Sequence, residues 1–175
     1  GDQSLESLGS LFLEPVWLFY RGTTLNSLTQ LKGKRVNVGT PGSGVPNLMH
    51  KLFESNHVDS QTMTLSQLEQ TPATVAFLGG ELDALVFASA PESLMVQMLL
   101  QTPGVKLMDF SQSEAYSRRF AFLSPAVLPR GVVDLAADIP KRDVHLVAPT
   151  TMLLTNSNTH PALLPAVKGW HAVAD

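Results

Sequence analysis

The sequence contains no cysteine, no block of like charges and no long uninterrupted apolar run. Without cysteine there is no disulfide framework and no thiolate metal site, and the compartment stays open because oxidising compartments do not require disulfides. The 12 Lys and Arg are scattered against 15 Asp and Glu, a net charge of −3. Such a distribution offers no electrostatic footprint for nucleic acid and no polybasic membrane anchor. Apolar stretches such as "FAFLSPAVL" are broken by Ser or Pro, so none has the roughly 20 residues a spanning helix needs. No internal repeat or low-complexity tract is visible. The chain opens on Gly1 with neither an initiator Met nor a signal-like apolar segment, which reads as a cleavage scar or a trimmed edge. What is present is 175 residues that are 44% apolar and only 15% charged, enough for one ordinary core or two small lobes.

Strand and helix patterns alternate along most of the chain. "PVWLFYRG" suits a strand buried on both faces, "SLTQLKGK" a short helical turn closed by Gly33, and "RVNVGT" a second strand. Leu48, Met49, Leu52 and Phe53 recur at helical spacing, predicting a helix over Pro46 to Ser55. "MTLS", "ELDALVFA" and "VKLMDF" read as strands. "QLEQTPATVAFLGG" reads as a helix with a Gly-Gly stop, and "APESLMVQMLLQT" as one with Pro91 in its first turn. This order predicts an open, mostly parallel α/β sheet with flanking helices. Beyond Ser111, "SQSEAYSRRFAFL" is read as one amphipathic helix and "SPAVLPRGVVDLAADIPKRD" as an extended connector with short turns. "VHLVAPTTMLLTN" is expected to form one or two strands separated at Pro149, and "HPALLPAV" begins a last helix. The segments are residues 1–29, a strand and crossover of an incomplete first lobe; 30–112, a central α/β lobe; and 113–175, a connector, a return strand and more of the first lobe.

Ligands of open α/β sheets sit beyond the carboxyl ends of the strands. Two such ends stand out, "GTPGSG" (Gly39 to Gly44) and "ASAPES" (Ala88 to Ser93). Each leads into a helix, so first-turn amides and the hydroxyls of Thr40, Ser43 and Ser89 are positioned for an anion. Glu92 is expected to occupy the second helix dipole itself. The glycine loop lacks the Lys of a phosphate loop and is Gly-x-x-Gly-x-Gly rather than the dinucleotide Gly-x-Gly-x-x-Gly. Its glycines can also serve only a tight turn. His50, Glu54 and His57 share a helix face but not the His-Glu-x-x-His arrangement, so they read as a solvated face. No nucleophile elbow is present, and no set of residues is arranged for catalysis. Arg118 and Arg119, beside Tyr116, are either a solvated pair or contain one cation that pairs with a carboxylate.

"EPVWLFYR", "LKGKRVNVGTPGSG", "LGGELDALVF", "TPGVKLMDF", "EAYSRRFAFL", "LPRGVVDLAADIP", "VHLVAPTTMLLTN" and "HPALLPAV" occur in the order seen in the TAXI class of solute-binding proteins of TRAP-type transporters, within the broader NMT1-like group. The chain resembles that class from about Leu13 to Val167, with the first third of a full member absent. The resemblance implies a type II periplasmic-binding-protein-like fold, one complete lobe plus part of the second. It also implies capture of a small organic anion, an amino acid or a mono- or dicarboxylate, in a cleft between lobes. Delivery would be to membrane subunits of a transporter, in a periplasmic or extracytoplasmic place, with or without a membrane tether. It implies no catalysis and no cofactor. Thr40, Pro41, Gly42, Ser43 and Gly44 match the family's ligand-facing loop, and Ala88, Ser89 and Ala90 match its second strand end. Val45 departs from members that carry a hydroxyl there. Glu14 and Tyr20 fall near the hinge, with Tyr20 either on the cleft floor or in the core; Tyr116 and Arg119 complete the expected ligand set. The alternatives are a ligand-sensing effector domain of a regulator or tethered sensor, and an enzyme on the same scaffold. An unfinished lobe further predicts self-association, as a homodimer exchanging strands.

Overall fold

The computed structural model describes residues 13–150. Along the chain these form β1 (Val16–Tyr20), β2 (Arg35–Asn37), α1 (Val45–Ser55), β3 (Thr64–Ser66), α2 (Gln70–Leu78), β4 (Ala84–Ala88), α3 (Leu94–Leu100), β5 (Lys106–Leu107), α4 (Ser113–Arg119), β6 (Leu123–Leu128) and β7 (Val144–Pro149). The class is the mixed α/β one expected, strands of an open sheet with helices between them. The expected strand in "TMLLTN" and helix in "HPALLPAV" lie outside the described residues.

The described residues group into two compact units: 17–87 with 102–108, and 13–16 with 88–101 and 109–150. In the first unit β2 lies between β3 and β4 and is parallel to both, pairing Val36 with Leu65 on one side and with Ala84 on the other. The chain leaves β2 through α1 to reach β3, then passes through α2 to β4 on the opposite side. The strand order therefore reverses at β2, and a crevice is expected beyond its carboxyl end. β1 neighbours β4, with Arg21 N donating to Asp83 O at 3.3 Å, and β5 runs antiparallel to β1 through Phe19↔Leu107. The parallel part of the sheet is thus β3-β2-β4, and the strands added to it are antiparallel.

Burial follows the sequence pattern. All five residues of β1 are buried, and Trp17 and Phe19, two apart on one face, stack at 6.1 Å, with Phe87 beside Phe19 at 5.9 Å. In α1 the buried set is Leu48, Met49, Leu52 and Phe53 with Val45 and Pro46, which covers the predicted apolar stripe. Burial of such side chains contributes about 1.5–3 kcal/mol each. His50, Glu54 and His57 are exposed. One boundary moves here. α3 starts at Leu94, because the Ser93 hydroxyl caps it by accepting from Val96 N at 3.3 Å; Pro91 and Glu92 lie before the cap, so Glu92 is not in the first turn.

In the second unit α4 packs against the antiparallel pair β6 and β7, and Val16 pairs with Val147. Here the sequence expectation is corrected: the helix stops at Arg119 and "LSPAVL" is a strand, not a connector. The reason is phase. Thr150 N donates to Phe122 O at 2.8 Å, so alternate pairs from there, Ser124↔Ala148 and Ala126↔Leu146, carry the ladder bonds. Pro125 and Pro149 both occupy the intervening pairs and withdraw no donor from the ladder. Pro125 also removes an outward amide from β6, which makes this strand a poor template for strand exchange with another copy.

Candidate functional site

At the carboxyl end of β2 the chain turns on Gly39, whose φ of 88° is open to glycine and costly for other residues. A Cβ there would stand 3.2 Å from Ser43 Oγ. Thr40 then precedes a 3-10 turn over Pro41–Ser43, and Gly44, at φ 80°, caps α1 with no side-chain hydrogen bond. Ser43 builds this turn: its hydroxyl donates to Thr40 O at 2.7 Å and accepts from Val45 N at 3.3 Å. The backbone amides of Gly42, Gly44 and Asn47 have no acceptor among the described residues, while Pro46 has no amide to satisfy. An 11-residue helix therefore presents its positive end and unmet donors beyond β2.

The wall beside this loop is set by Asn37, a buried polar residue that sequence reasoning missed. Its Oδ1 accepts from Ser66 Oγ at 2.9 Å and Leu68 N at 2.8 Å, and its Nδ2 donates to Leu68 O at 3.2 Å. The side chain thereby fixes the segment after β3 against the end of β2. The one available signal was a polar residue between two valines in "RVNV".

The other expected strand end belongs to the second unit. Ser89 N donates to Pro15 O at 3.2 Å, Ser93 N donates to Ala90 O at 3.1 Å, and Ser89 Oγ donates to Ser93 Oγ at 2.9 Å. Ala88, Ser89 and Ala90 are all half-buried. Glu14, just before Pro15, is half-buried as well, and burial pushes its carboxyl above the usual carboxylate range.

The remaining expected residues are divided between the two units. Tyr20 is core in the first unit, 3% exposed, with its hydroxyl accepting from Leu25 N at 3.0 Å. Tyr116 and Arg119 lie on α4 in the second unit, Tyr116 edge-on to Phe110 at 6.2 Å and Arg119 exposed over Phe120 at 5.9 Å. A cavity of about 510 Å³ in that unit has Ser113, Glu114 and His145 as its polar members, and no expected ligand residue lines it. Among the described residues no group of His, Cys, Asp or Glu is arranged to hold a metal ion, and no helix is long and apolar enough to cross a membrane.

The described chain thus has unmet amides beyond a strand-order reversal in an open α/β sheet. The chain belongs to the NMT1-like family, whose sequence pattern matches residues 2–164. Three of the solved structures similar to it follow. The periplasmic aliphatic sulphonate binding protein SsuA from Escherichia coli shows 13% identity and a TM-score of 0.46, over 94% of this chain and 42% of that one. The alkanesulfonate-binding protein SsuA from Xanthomonas axonopodis pv. citri, bound to MOPS, shows 16% and 0.45, over 98% and 52%. The amino acid ABC transporter substrate-binding protein AbpA from Streptococcus pneumoniae, bound to L-arginine, shows 14% and 0.41, over 94% and 57%. The chain thus spans 42% to 57% of the length of these three proteins.

Proposed function

We propose that this chain is part of an extracytoplasmic solute-binding protein that captures a small organic anion, an amino acid or a mono- or dicarboxylate, for a TRAP-type transporter of the TAXI class. Its partners are then the membrane subunits that receive the solute, and its place is periplasmic or otherwise outside the cytoplasm. Membership of the NMT1-like family supports solute binding in general. The observation that carries the choice of an anion is the uncapped start of α1, with the amides of Gly42, Gly44 and Asn47 unmet at the end of β2. A carboxylate placed there would accept charge-assisted bonds from a dipole end that already favours it. The loop has no cation of the kind that phosphate loops add, so a singly charged group suits it better than a polyphosphate. Binding, not chemistry, is the activity: the loop hydroxyl of Ser43 is engaged in the turn.

Thermal melting against amino acids, mono- and dicarboxylates and alkylsulfonates tests this reading. A solute at one hundred times its dissociation constant adds about 2.7 kcal/mol, a rise of about 5 to 10 °C for a chain of this size. A rise confined to one class names the solute class. A flat panel overturns the reading.

A further inference from the structure

Asn37, Thr74 and Ser113 are the buried polar side chains among the described residues. Asn37 is bonded to Ser66 and Leu68, and the Thr74 hydroxyl donates to Gln70 O at 2.8 Å. Ser113, 4% exposed, differs from both. Its N donates to Phe110 O at 2.8 Å and its O accepts from Ser117 Oγ at 2.8 Å, but its hydroxyl meets no donor or acceptor among the described residues. A buried hydroxyl left without a partner is costly, and native proteins keep few of them.

Ser113 is also part of the wall of the cavity of about 510 Å³, whose lining residues all belong to the second unit. A volume of this size suits a small molecule. Leu13, Pro15, Pro125, Val127, Leu128 and Leu146 give the wall its apolar character, and Ser113, Glu114 and His145 are its polar members. The backbone joins two of these three. Phe110 N donates to His145 O at 2.8 Å, so the turn that carries Ser113 is fastened to β7 at His145. Asp109 Oδ1 stands 3.0 Å from His145 Nδ1, which places a ring proton on Nδ1 and leaves Nε2 of the neutral ring as an acceptor. The wall contains no Lys or Arg, so an acid entering the cavity would meet Glu114 with no cation to offset it. A neutral hydroxyl suits these partners better, because it accepts from Ser113 Oγ and donates to Nε2 at once.

We propose that this cavity binds a small uncharged alcohol, its apolar body against Val127, Leu128 and Leu146 and its hydroxyl bonded to Ser113 and His145. This is a second ligand site, since the glycine loop belongs to the first unit. It does not depend on the solute-binding reading.

Ligand-observed NMR titrations of the 175-residue chain with benzyl alcohol, anisole and benzoate test it. Benzyl alcohol and anisole are isomers built on the same ring, and the alcohol alone can donate a hydrogen bond. The expected result is saturable binding of benzyl alcohol, about tenfold weaker binding of anisole and weaker binding still of benzoate. Equal binding of the two isomers, or tighter binding of benzoate, overturns the proposal, as does no saturable binding of any of the three. Ser113→Ala should melt within about 2 °C of the native chain or above it without ligand, because no bond is lost, and should bind the two isomers alike. A clear fall in its midpoint would show that the hydroxyl already has a partner, and would also overturn the proposal. Val127→Trp, at a lining position that is 52% exposed, should fill the cavity and abolish binding of the alcohol; native affinity in that variant places the alcohol elsewhere and rejects this site. The comparison of isomers is made on the unaltered chain, so it decides the matter even if a variant folds poorly.

Discussion

The two ends of the parallel strands β2 and β4 in the first unit solve opposite problems. At the amino end, Asp83 accepts from Arg35 N at 2.8 Å, Nε at 3.1 Å and Nη2 at 3.0 Å, and Arg35 Nη2 also donates to Gly80 O at 3.1 Å. Asp83 N donates back to Arg35 O at 2.8 Å. That end is closed by the protein's own charges. At the carboxyl end, a few residues away, Asn37 and Ser43 hold the flanking segments, yet the amides of Gly42, Gly44 and Asn47 are left unmet. The amides at the second end are free to take an acceptor from outside the chain, and the proposed binding of an anion uses that freedom.

The comparison can be broken most sharply at Asn37. Replacing it with alanine removes the three hydrogen bonds that this buried side chain makes to Ser66 and Leu68, at a cost of about 2 to 3 kcal/mol. The expected drop in melting midpoint is roughly 5 to 10 °C, and the solute-induced rise should shrink with it. A midpoint within 2 °C of the native chain would show that Asn37 does not hold the wall. Next in size is Gly39→Ala, which forces φ 88° on a residue with a Cβ and sets that Cβ against Ser43 Oγ. About 1 to 2 kcal/mol of stability should be lost. The sharper readout is binding, since a displaced Ser43 turn moves the unmet amides. A variant that melts slightly lower yet binds solute with native affinity would remove the glycine loop from the site.

Much of this arrangement was legible before any coordinates. The unbroken apolar run of β1, the helical spacing of Leu48, Met49, Leu52 and Phe53, and the glycines around Pro41 each have one dominant local cause, and each appears where the pattern places it. What was illegible depends on distant partners. Pro125 looks like a connector residue until β7 supplies the register that excuses it. Pro91 and Glu92 look like a helix start until the Ser93 hydroxyl outcompetes them as the cap. Asn37 reads as a flaw in an apolar strand until Ser66 and Leu68, some 30 residues away, surround it. Hydrophobic period reports what a residue is buried for, but polar satisfaction is a property of pairs, and pairs are not written in one segment. The assignment of Tyr20 to one unit and of Tyr116 and Arg119 to the other has the same origin, because the two units are assembled from alternating stretches of the chain.

The smallest effect belongs to the closed end, and its sign is fixed by the ion pair. The Arg35 guanidinium, through its hydrogen bonds, holds the Asp83 carboxyl at about 2, below its usual 3.8. A carboxyl depressed on folding adds stability at pH values above its unfolded value, and that stability is lost as pH falls through the folded value. The increment should therefore be full above about pH 4 and gone near pH 2. Both side chains remain well exposed, 47% for Arg35 and 34% for Asp83, so solvent screening limits it to under about 1 kcal/mol. Asp83→Asn keeps the shape and removes the charge. Urea melts at pH 5 should show it slightly less stable than the native chain, with the gap narrowing through pH 3 and closing near pH 2. A gap independent of pH would mean that the amide fails for reasons of packing and that charge is not what closes this end. Solute affinity at neutral pH should be unchanged in the same variant, because nothing at the carboxyl end depends on Asp83; a loss there would join two ends that the hydrogen bonds keep apart.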